Sequence, residues 1–214
     1  MPFTVEQFLD VFGKYNLAIW PRQLLFYLIV ILTLILAVKK TSYSDKVISG
    51  ILSFFWLWMG VVYHLLYFTQ INKVAYAFGI LYIIQGFLFF YVGIMKNNLS
   101  FRFQSNTCTL IGSFFVIYAV GLYPILGYFL GHIYPKSPTF GLPCPTTIFT
   151  FGLLLWTEKA FPKYLLVIPF IWSVIGFSAA VSLGIREDIG LLIVGLVSSL
   201  LILFRDKSKT KEKA

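Results

Sequence analysis

Cut at every Lys, Arg, Asp and Glu, the sequence falls into seven long charge-free runs, at residues 23–38, 47–72, 74–95, 103–135, 137–157, 164–185 and 189–204. A helix rises about 1.5 Å per residue and the hydrocarbon core of a bilayer is about 30 Å thick, so each run can cross it or nearly so. The two shortest have sixteen residues. Trp20 and Pro21 extend one, and Arg186 and Arg205 flank the other with side chains that can reach back to the interface. None carries the polar stripe of a soluble surface helix. Segments such as LIVILTLILAV also lack the alternation of a barrel strand. The expected fold is an all-α integral membrane bundle of seven transmembrane helices, at about 20–38, 47–69, 74–95, 107–131, 144–157, 164–185 and 188–204. Only 12% of residues are charged, against about 25% in soluble chains.

Seven spans with short connectors use nearly all of the 214 residues, leaving no room for a separate extramembrane domain. Residues 1–19 read as a short outer interfacial segment. Thr4 and Gln7 have capping-box spacing, Phe8, Leu9, Phe12 and Tyr15 recur at helical spacing, and Gly13 is a stop signal. The segment lacks a basic, then apolar, signal-peptide pattern, so the first span is expected to direct insertion. Residues 20–204 form the transmembrane domain and 205–214 a basic tail.

Orientation follows from Lys and Arg across the connectors. Twelve lie on the side of the carboxyl terminus and five on the side of the amino terminus, which predicts the amino terminus outside and the carboxyl terminus inside. The net charge of +9 is thus explained by anionic lipid rather than by nucleic acid. Gly127 and Gly131, Ser178 and Ser182, and Gly195 and Ser199 are small pairs expected at close helix contacts, and Pro124 and Pro169 are expected to kink their spans. Cys108 and Cys144 fall near opposite faces, which argues against a disulfide between them.

On this topology the unusual polar residues collect on the outer side. His64, Tyr67, Gln70 and Asn72 end the second span, His132, Tyr134 and Cys144 surround the 4–5 connector, and Glu187 and Asp188 occupy the 6–7 turn. Gln85, deep in the third span, is costly against lipid and should face the bundle as helix glue or on a solute path. In PTFGLPCPTTIFTFG, Cys144 sits on rigid backbone, while Thr146 and Thr147 could cap the fifth helix and aim its amino end at an outer cavity, favouring an anion. Each feature also has a structural reading: hydrogen-bonded interfacial histidines, a small buried thiol, turn chemistry, and helix-dipole capping by Glu187 and Asp188. No Walker A loop, dinucleotide fingerprint, HExxH or CxxC is present, and the seventh span has no Lys for a retinal Schiff base.

At FWLWMGVVYH (55–64), and above all at YPILGYFLGHIYPKSPTFGLPCPTTIFTFGLLL (123–155), the sequence resembles an uncharacterised family of bacterial multi-pass membrane proteins. Its members are labelled as a domain of unknown function or as "MFS transporter permease". The resemblance implies a bacterial inner-membrane location and supplies no functional residues. Major-facilitator transporters usually have twelve spans in two halves, whereas this chain has about seven and no internal repeat. Transport by it therefore implies a homo-oligomer or another architecture.

Three functions remain open. A transporter, channel or permease for a small solute or ion would use an outer-facing polar vestibule lined by His64, Tyr67, His132, Cys144, Thr146 and Thr147, with Gln85 deeper. A membrane redox protein would ligate haem or a metal through His64 and His132, with Cys144 as a further ligand. A structural or assembly protein would have no chemistry of its own. Transport ranks first, and a non-catalytic role ranks ahead of an enzyme.

Overall fold

The computed structural model describes residues 2–211, with side chains through Lys207. Nine α-helices account for the described fold: α1 (Val5–Ile19), α2 (Gln23–Val38), α3 (Ser44–Trp58), α4 (Ala75–Phe89), α5 (Thr107–Ile117), α6 (Tyr123–Phe129), α7 (Pro143–Leu155), α8 (Val167–Leu183) and α9 (Ile189–Lys211). Wider π turns extend α3 (Met59–Tyr67) and α4 (Phe90–Met95), and another joins α5 to α6 (Tyr118–Leu122). The tail expected at 205–214 begins inside α9, and residues 212–214 lie outside the described residues.

Among the described residues, five helical stretches are long and apolar enough to cross a membrane: Ser44–Gln70, Ala75–Met95, Thr107–Phe129, Lys163–Leu183 and Arg186–Lys207. A sixth is reached if α1 and α2, bent by 82°, count as one span. The remaining expected segment is α7, an apolar helix of 13 residues. At about 1.5 Å per residue it falls well short of a 30 Å core. It is also enclosed: every residue of α7 except the half-buried Cys144 is buried. A helix apolar on all faces and buried on all faces is the centre of a bundle. Around it the surface is inverted relative to a soluble protein. Leu24, Leu25, Leu28, Ile31, Ile35 and Val38 are exposed along α2, with similar residues on the other long helices, a surface compatible with a membrane-embedded protein.

Hydrogen bonds and ion pairs define two ends. At the basic end, Lys40 contacts Glu158 at 2.5 Å and Asp45 at 3.5 Å, and Phe101 N–H donates to Asp45 at 2.8 Å. Arg205 donates to the Thr157 carbonyl at 2.9 Å, and Asp206 pairs with Lys163 and Arg205. At the other end lies α1, where Thr4 and Gln7 form the expected capping box. The helix runs through Gly13 to Ile19 rather than stopping there, since one glycine costs only about 1 kcal/mol in a helix. Asn16 ties it down, donating to the Pro135 and Ser137 carbonyls at 2.7 and 2.9 Å, and Lys136 reaches Asp10 at 2.5 Å.

Several small residues depart from expectation. Gly131 lies beyond α6 at φ +92°, with open space where a Cβ would be, so it ends a helix instead of packing one. Ser178 and Ser182 are exposed and donate to carbonyls of their own helix. Gly195 does approach α8, directly against Ser173. The closest backbone approach joins α5 to α7: a Cβ on Gly112 would lie 2.6 Å from the Gly152 carbonyl oxygen. Pro169 falls in the first turn of α8, where its missing N–H leaves no bond broken, and Pro124 follows the π turn that reopens the ladder before α6.

Candidate functional site

A cavity of about 280 Å³ opens at the end of the bundle that carries α1. Phe3, Phe8 and Phe12 cover it from the amino-terminal segment. Tyr63 contributes from the extension of α3 and Phe68 from the 3₁₀ turn that follows it, Phe78 from α4, Tyr123 from α6, and Trp172 and Ala179 from α8. The first turn of α7, from Pro143 to Pro145, forms part of the wall. The lining is thus mainly aromatic and apolar, in place of the polar vestibule the sequence suggested. Asp188 is the single charged residue among the described lining.

Asp188 reaches the cavity because the 3₁₀ turn Arg186–Asp188 joins α8 to α9 at this end. It is buried and accepts a hydrogen bond from the Tyr123 hydroxyl. Its neighbour Glu187, also buried, lies 2.6 Å from His132 Nδ1, while its second carboxylate oxygen has no hydrogen-bond partner among the described residues. The Tyr118 hydroxyl donates to the Glu187 carbonyl at 2.8 Å, fixing the turn against the α5–α6 junction. The acidic pair expected to serve as helix-dipole caps therefore directs its side chains to tertiary partners.

Of the seven residues expected at a solute site, Cys144 lines the cavity, facing Gly176 of α8. His64 stands behind the wall. It is fully buried, both ring nitrogens lack a partner among the described residues, and its ring lies 4.8–6.0 Å from those of Tyr63, Phe68, Phe78, Tyr82 and Trp172. Four of those five rings are themselves cavity lining. The π turn on which Tyr63 and His64 sit widens the helix where these two side chains turn inward. His132 is engaged with Glu187, and Tyr67 packs its ring on Tyr15 at 5.6 Å.

Thr146 and Thr147 do not cap α7. The residue before the helix is Leu142, Thr147 donates back to the Pro143 carbonyl at 2.9 Å, and the Thr146 hydroxyl is buried without a partner among the described residues. Thr147 also meets the Tyr82 hydroxyl at 3.1 Å. This helix end offers an anion fewer donors than expected, for a covalent reason. Pro143 and Pro145 occupy two of the first three helical positions and carry no N–H, and Thr146 N–H is already bonded to the Leu142 carbonyl. Gln85 donates to the Leu165 carbonyl at 3.0 Å, linking α4 to the turn just before α8, and its own oxygen has no partner among the described residues.

Among the described residues, no three His, Cys, Asp or Glu side chains are grouped to hold a metal ion, so His64, His132 and Cys144 are not assembled as a ligand set. Sequence reasoning missed Tyr63, Tyr123 and Trp172 as lining residues, because aromatic residues are frequent throughout the chain and nothing local distinguishes these three.

The architecture defines a class: an all-helical bundle of apolar helices, compatible with a membrane, with a carboxylate-bearing aromatic cavity at one end. Residues 5–213 match the family of unknown function DUF6064, and the chain belongs to that family. No curated protein and no solved structure matches it.

Proposed function

We propose that this chain is a seven-span protein of the bacterial inner membrane that takes up a small solute in the cavity beneath α1 and acts as a permease. The amino terminus and the cavity face outward and the basic end faces the cytoplasm, in keeping with the distribution of Lys and Arg. In this reading α7 is the fifth of the seven segments and completes the count. Enclosed by other helices, it need not match the bilayer thickness that lipid-facing helices must. The 82° bend between α1 and α2 suits a helix lying at the outer interface over the cavity mouth.

The observation that carries the reading is the cavity itself, large enough for a small molecule and holding Asp188 in an otherwise uncharged lining. Buried polar atoms of His64, Thr146 and Gln85 that have no partner among the described residues support a path continuing into the bundle. Buried polar groups are ordinarily satisfied, and a passing solute or water would satisfy these.

Flux into proteoliposomes tests it. Across a panel of small cationic, neutral and anionic solutes, at least one should equilibrate faster than through protein-free vesicles. Ala179→Phe, which fills the cavity from α8, should return that rate to background with the protein still folded. No accelerated solute, or acceleration unchanged by Ala179→Phe, would remove the basis for the proposal.

A further inference from the structure

We infer that the solute is a small organic cation, with Asp188 as its counter-charge and the surrounding aromatic rings as its cage; this rests on reading the cavity as the solute site.

The electrostatics point one way. Asp188 is buried at the cavity wall, and none of the ion pairs among the described residues involves it. Its bond from Tyr123 supplies a donor but no positive charge. No Lys, Arg or His is among the described lining, the nearby His132 is held by Glu187, and Arg186 of the same turn is exposed. A carboxylate removed from water without a cation is costly, and a ligand bearing positive charge relieves that cost where a neutral or anionic one does not.

The walls fit the same ligand. The faces of aromatic rings are electron-rich and attract cations, most strongly organic ones that shed water easily. Phe8, Phe12, Tyr63, Phe78, Tyr123 and Trp172 line the same cavity as Asp188. The amino end of α7, which would otherwise favour an anion, loses two of its first three N–H donors to Pro143 and Pro145. The predicted ligand is a compact quaternary or tertiary ammonium with an apolar substituent. A metal cation is disfavoured, because the aromatic wall cannot replace its water shell.

Calorimetric titration of the purified full chain with benzyltrimethylammonium and with its uncharged carbon isostere, neopentylbenzene, separates charge from shape. The cation should bind about tenfold tighter or more, and Asp188→Asn should abolish that preference while still binding the isostere. Asp188→Glu should retain the preference. Equal binding of the two compounds by wild type, or a preference surviving in Asp188→Asn, overturns the inference of a cation while leaving the cavity as a solute site. If neither compound binds folded wild type, this inference fails, and the flux panel decides separately whether the cavity carries another solute. Because the first comparison needs only wild-type protein, a variant that fails to fold does not rescue the idea.

Discussion

Glu158 shows how single charges hold the basic end. Burial raises its pKa, but the Lys40 hydrogen bond and charge, with hydrogen bonds from Ser100 and Arg102, outweigh burial and leave the carboxyl below the ordinary glutamate value of 4.5. A depressed folded-state pKa contributes stability that is complete above the unfolded value and is lost as pH falls through the folded one. The unfolding midpoint of the full chain in detergent should therefore drop on acidification below the ordinary glutamate range. Glu158→Gln should lower the midpoint at neutral pH and make the acid dependence shallower; identical acid slopes in the two proteins would contradict this. At the other end, Cys144 could be read from sequence because two flanking prolines mark an unusual backbone. The role of Asp188 could not, since its partner Tyr123 lies 65 residues away and nothing in the intervening chain predicts the contact.

Helix packing depends on glycines that no local motif announces. Gly112 of α5 and Gly152 of α7 face each other, each placing its would-be Cβ 2.6–2.8 Å from the other's carbonyl oxygen. A backbone oxygen cannot move aside as a flexible side chain can. Gly112→Ala is expected to destabilise the chain by about 1–3 kcal/mol, read by thermal unfolding, as other overpacked cores do. Gly121→Ala is the control, because open space surrounds the position and its φ is not positive, so the midpoint should stay level or rise slightly. Equal losses in both would show that α5 and α7 are not so close. The visible GxxxG of Gly127 and Gly131 misled because residue spacing specifies a helix face only while the helix continues, and α6 ends at Phe129.

For the whole molecule, the proposed orientation has a direct check. In a Cys108→Ser background, a membrane-impermeant thiol reagent should reach Cys144 from the outer face of sealed vesicles, and Ala179→Phe should slow it. In a Cys144→Ser background, Cys108 at the start of α5 should react from the inner face. The reverse pattern would invert the topology and with it the direction in which the cavity opens. The sequence alone determined that the chain is helical, apolar and divided into long uncharged segments, because hydrocarbon thickness and the cost of buried charge act on contiguous stretches of chain. It also set the charge asymmetry between the two ends, which is a simple consequence of composition in the connectors. Only the tertiary structure decided that α7 is a short enclosed core, that His64 is enclosed by the rings of Tyr63, Phe68, Phe78, Tyr82 and Trp172, and that Asp188 stands in an aromatic cavity. Those properties arise from which helices meet and how closely, and contacts between residues far apart in the chain leave no periodic trace in any one segment.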